Sequence, residues 1–196
     1  MGSAWEFPTS LNVGGIDYEI RTDYRVVLDL LTALADPELT DEDEQMTAYM
    51  QSRVILEIMF PDCDNIPTEH MQEALDKISE FIDMGISDDR KKPKTMDWEQ
   101  DAPILIPAIN RVLNCEIRAQ KYIHWWTFLG AYMEIGESLF SNIINIRQKK
   151  AKGKKLEKWE LDFYKENQSL IDFKKKNQRS DEEKEKLRNY FGYKKK

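Results

Sequence analysis

Histidine and cysteine are nearly missing from this chain: its 196 residues hold two of each. A structural zinc site takes ligands in two close pairs, and Cys63, His70, Cys115 and His124 offer none. The sequence therefore points to no metal and to no disulfide framework; reduced thiols in a cytosolic protein are the simpler reading. The acids at 41–44 and at Asp62 and Asp64 lack the glycine and closing glutamate of a calcium loop. Glycine and proline are scarce, at 8 and 7, which argues against an all-β sandwich and against long disorder. No apolar run approaches the roughly 18 residues of a transmembrane helix. The opening stretch Met1 to Pro8 lacks the basic-then-apolar pattern of a signal peptide. Also missing are a G-x-S-x-G turn, a phosphate-cradling glycine loop and any nucleophile set beside a base. With 36 acids, chance carboxylate pairs carry no information. The expectation is a protein that is not an enzyme and needs no cofactor.

What the chain does have is charge, unevenly placed. Residues 1–110 hold 24 acidic and 8 basic side chains, net −16, whereas residues 111–196 hold 12 and 21, net +9. Such opposed halves suit contact with other macromolecules, and they permit a homo-oligomer built head to tail. The lysine-rich half with Trp159, Phe163, Tyr164, Tyr190 and Tyr193 could contact nucleic acid, but Glu157, Glu160, Asp162, Glu166 and Asp181 to Glu185 punctuate it. An amphipathic helix that pairs with another helix explains that mixture better.

The fold reads as mainly α: a multi-helix domain with a short N-terminal β-hairpin and a C-terminal helical extension. Gly14-Gly15 marks a primed hairpin turn, and Val13, Ile16, Tyr18 and Ile20 are expected to bury one strand face. Thr22 or Asp23 caps a first helix with Tyr24, Val27, Leu28, Leu31 and Leu34 on one side. Thr40 opens a second, stopped by Pro61, and Thr68 a third, closed by Gly85. Pro103 suits the first turn of a fourth helix, Pro107 kinks it, and Asn114 breaks it. Two more helices follow at about 119–135 and 138–148. After a basic linker, Leu156, Trp159, Phe163, Leu170 and Phe173 keep heptad spacing with Glu166 in the seam. Ser180 to Glu183 form a capping box for a last helix around Leu187 and Phe191. The division expected is a core domain over 1–148 and a linker with helical extension over 149–196.

The aromatic knot His124-Trp125-Trp126-Thr127-Phe128 is the sharpest local feature. On a helix, Trp126, Leu129 and Met133 form one stripe and Trp125, Phe128 and Tyr132 its neighbour. The first stripe is assigned to the core and the second to a partner, with Trp159 and Phe163 as a second contact surface. A wholly buried central helix is the plainer reading; an exposed aromatic hot spot is the sharper one. His124 is expected to be a hydrogen-bonding core histidine.

At His124 to Leu129, followed by Ile146-Arg147, the chain resembles the "gene product fifteen" family of siphophages and Gram-positive prophages. Gly14 to Tyr18, Thr22 to Arg25, Phe81 to Gly85 and Asp97 to Asp101 carry the likeness too, which covers about residues 5–155. Where the family often has an Asp-Leu pair before the tryptophans, this chain has Asn114-Cys115-Glu116-Ile117. The family has no assigned reaction, and its genes lie between those for the major tail protein and the tape-measure protein. The resemblance implies a tail assembly chaperone in the host bacterial cytoplasm, binding the tape-measure protein and in contact with the tail tube protein. The alternative is a structural tail or connector subunit retained in the virion. A nucleic-acid-binding module is a third, less favoured reading.

Overall fold

The computed structural model describes residues 5–36, 39–40, 43–86, 93–174 and 186. Its described residues fall into two compact units, one drawn from 1–87 and 176–196 and the other within 88–175. Residues 150–174, expected as linker and start of the extension, lie within the second unit. The architecture is mainly α with an N-terminal two-stranded hairpin. No helix among the described residues is long and apolar enough to cross a membrane.

In the first unit, β1 (Ser10–Val13) pairs antiparallel with β2 (Ile16–Glu19), with Val13 opposite Ile16. Gly14 and Gly15 make the turn at φ +58° and +82°, where a side chain would be strained. A Cβ on Gly14 would come within 2.6 Å of the His70 ring, and the Gly14 N–H donates to Glu73 at 3.0 Å. The turn is thus fastened to the start of α3 (Met71–Ile82). Burial along β2 fades toward the turn. Ile20 is buried and Tyr18 half-buried, but Ile16 is 57% exposed, so it leaves the face it was expected to share.

Asp23 caps α1 (Tyr24–Leu34) by accepting from the Arg25 N–H. The second helix starts later than expected. Asp43, not Thr40, caps α2 (Glu44–Met59), accepting from the amides of Gln45 and Met46. Arg21 closes the other end of α2, donating to the carbonyls of Glu57 and Ile58 at 2.9 and 2.7 Å. Thr68 opens a single 3-10 turn that leads into α3. Gly85 then closes α3 at φ +70°.

In the second unit, α4 (Ala102–Leu113) ends at Asn114 in the left-handed conformation, φ +52°. The helix expected from about 119 begins at α5 (Trp125–Met133), because residues 117–119 form a separate 3-10 turn. His124 is the cap. It is buried, and its Nδ1 accepts from the Trp126 N–H at 3.1 Å. Ser138 and Ser141 form a capping box at α6 (Leu139–Ala151), which runs into the stretch expected as linker. Then come α7 (Lys158–Glu166) and α8 (Gln168–Ile171), broken apart at Asn167. The heptad pattern therefore does not form one continuous helix. The helix expected from Ser180, with Leu187 and Phe191, lies outside the described residues.

Candidate interaction surface

The aromatic knot is the core of the second unit. Trp125 stacks on Phe128 with ring centroids 5.6 Å apart, and both are 1% exposed. Trp98 lies edge-on to Trp125 at 6.4 Å and against Tyr132 at 5.7 Å; Tyr132 meets Phe140 at 6.0 Å. Burial therefore does not follow the two expected stripes. Trp125 and Phe128, assigned to a partner, are among the most enclosed side chains, whereas Met133, assigned to the core, is 53% exposed. Trp126, Leu129 and Tyr132 are half-buried. The physical reason is Trp98, which arrives from a distant part of the sequence and covers the Trp125 side of α5. Burial, then the nearby Asp101 charge, push the Tyr132 phenol above its ordinary pKa.

Beneath this cluster lies a buried clamp. Arg147 on α6 makes a two-pronged ion pair with Asp101, at 2.6 and 2.9 Å, with both side chains almost fully enclosed. Its remaining hydrogens go to the carbonyls of Ile171 (2.6 Å), Leu170 (2.7 Å) and Thr95 (3.2 Å). The Phe173 ring lies 4.3 Å from the guanidinium carbon. One side chain thus ties α6, α8 and the approach to α4 together. Sequence reasoning did not find this pair, because 46 positions separate its members.

A second buried carboxylate holds α7 in place. Glu160 has no exposed surface and accepts from Lys149 (2.6 Å), Asn145 (3.2 Å) and the Glu157 N–H (2.8 Å). The Lys149 hydrogen bond, above all, holds its carboxyl below the ordinary range. Phe163 consequently faces inward onto Ile143, Ile146 and Ile171. Trp159 is 50% exposed, with its indole N–H donating to Glu157 at 3.1 Å. Of the expected second contact surface, Trp159 is outward and Phe163 is spent on packing.

The open apolar feature of this unit lies elsewhere. A groove of about 260 Å³ is lined by Pro103, Ile104, Pro107, Ala108, Arg111, Ser138 and Leu139. It runs along α4 and the start of α6. Pro103, Pro107 and Arg111 follow at helical spacing on one face. Proline has no N–H, so the helical bond from position 107 to the Pro103 carbonyl is not made. Arg111 closes the rim by donating to the Glu137 carbonyl at 2.8 Å. Leu139, Val112 and Met133 are exposed on the same unit. The two prolines are the available sequence signal, but their spacing alone predicts only a favourable first turn at Pro103 and a kink at Pro107.

Among the described residues, no group of three or more His, Cys, Asp or Glu side chains is placed to hold a metal ion. What the unit offers chemically is apolar, concave surface braced by buried ion pairs. Comparison with curated proteins and with solved structures gives no match. The family described as "Bacteriophage Gp15 protein" matches residues 6–173, most of the chain. The protein belongs to that phage family.

Proposed function

We propose that this phage protein works in tail morphogenesis, as an assembly chaperone that binds the tape-measure protein. It shelters apolar helices of that partner in the host cytoplasm while tail subunits polymerise, and it makes and breaks no covalent bond. The tail tube protein is the second partner in this reading.

The observation that carries the proposal is the groove between α4 and α6. A cavity of about 150 Å³ accepts a benzene-sized group, so 260 Å³ of open groove admits one or two apolar side chains. Each contributes about 1.5–3 kcal/mol when fully buried. That is weak enough for release as the tail grows. Tyr132 stays half-buried, and Trp159 supplies a second apolar contact. The burial of Trp125 and Phe128 removes them from the contact set.

Co-expression with a tape-measure fragment tests the reading. The soluble yield of the fragment is expected to rise with the wild-type chain and to fall back with Leu139→Glu. That substitution suits the N-terminus of α6 electrostatically but places a charge in the groove. Equal yields with and without the protein would remove the proposal. Stoichiometric presence in purified particles would instead make it a structural tail or connector subunit.

A further inference from the structure

The segments 1–87 and 88–175 differ sharply in charge. Residues 1–87 carry 4 basic and 19 acidic side chains, net −15; residues 88–175 carry 17 and 13, net +4. The positive charge gathers where α6 gives way to α7. Lys149 and Lys150 are satisfied by Glu160 and Asp172. Lys152, Lys154, Lys155 and Lys158 are exposed and meet no carboxylate within ion-pair distance among the described residues. Gly153, at φ +64°, turns the chain between them, and half-exposed Trp159 stands beside them. Four exposed cations around an open indole make a surface that attracts anionic protein.

The first unit supplies the complement. The Tyr18 hydroxyl donates to the Asn65 carbonyl at 3.2 Å, which sets the 62–65 turn beside β2. Asp17, Glu19, Asp62, Asp64 and Glu69 are each exposed on this unit, and none lies within ion-pair distance of a described cation. Burial, then the charges of Asp64 and Glu57, push the Cys63 thiol pKa up. Nucleic acid suits the lysines less well. Glu157 holds the Trp159 indole, Asp162 and Glu166 lie on the same short helix, and the whole chain is net −7. A long polyanion would meet that repulsion at every turn.

We propose that the lysine corner of residues 152–158 docks the acidic unit of a second copy of this chain, so that copies associate head to tail. The contact joins two different surfaces, so it repeats into a ring or an open chain. It does not depend on the tape-measure reading, because its test contains no other protein.

The test is sedimentation of the full-length chain over a range of concentrations, after nuclease treatment. Charge screening acts over about 10 Å at 0.1 M salt and about 3 Å at 1 M. Association is expected at low salt, with reversion to the 23.2 kDa monomer at high salt. Lys154→Glu with Lys155→Glu should weaken it about tenfold or more, and so should Asp62→Lys with Asp64→Lys. All four substitutions in one chain should restore it, an outcome misfolding cannot produce. A wild-type monomer at every salt would overturn the proposal. So would association that survives either pair of reversals, that stays lost in the fourfold variant, or that disappears with nuclease.

Discussion

Removing the guanidinium of Arg147 should cost the second unit a large part of its stability. The side chain makes five hydrogen bonds, two to Asp101 and three to the carbonyls of Thr95, Leu170 and Ile171. Arg147→Met leaves the Asp101 carboxylate 1% exposed without its cation. Breaking one half of such a pair costs about 3–5 kcal/mol. A unit of this size has roughly 4–12 kcal/mol in all, so the variant should sit near its unfolding threshold. Urea unfolding followed by tryptophan fluorescence measures this selectively, since Trp98, Trp125, Trp126 and Trp159, four of the five tryptophans, belong to this unit. The companion Asp101→Asn should be similarly damaging. The double variant should fall short of the summed losses by about 1–3 kcal/mol, the signature of a coupled pair. A loss below about 1 kcal/mol for Arg147→Met, the figure for an exposed ion pair, would refute the clamp.

Other substitutions follow from local geometry. Gly14→Ala and Gly15→Ala each incur the left-handed penalty of about 1–2 kcal/mol. Only Gly14→Ala also meets the His70 ring. Its excess cost in chemical denaturation should vanish in a His70→Ala background; an excess that persists would dismiss the contact. Ser138→Ala should lower stability by about 1 kcal/mol through loss of the α6 cap, and an unchanged unfolding midpoint would contradict that role. Hydrogen bonds from Arg118, chiefly, hold the Glu116 carboxyl down to about 2 from its ordinary 4.5. A depressed carboxylate stabilises the fold above its unfolded pKa and loses that effect as pH falls through the folded one. The Tm advantage of wild type over Glu116→Gln should therefore be constant above pH 4.5 and shrink between 4.5 and about 2. A difference that ignores pH in that window would count against the network of Glu116, Arg118 and Asn110.

Much of the fold was legible because its signals are local. Gly14-Gly15 requires a turn, Asp23 caps a helix, and Asn114 and Gly85 close helices, each within a few residues of its effect. The errors arise where distant residues decide. Helical spacing places Trp125 and Trp126 on adjoining stripes but cannot say which stripe Trp98 will cover. Heptad spacing from Leu156 to Phe173 suggests one helix, yet the chain breaks at Asn167, and beyond it Arg147 takes the carbonyls of Leu170 and Ile171. Glu160 looked like an ordinary surface acid on a charged helix until Lys149 and Asn145 enclosed it. The groove escaped notice because it needs α6 alongside α4, and no spacing within α4 encodes that neighbour.

The central claim is that this protein keeps a greasy partner from clumping by offering it apolar surface. Dilution of a denatured tape-measure segment into buffer, followed by light scattering, measures that directly. An equimolar amount of the wild-type protein should suppress the scattering, and Leu139→Glu should suppress it far less. Scattering that rises identically with and without the protein would contradict the account.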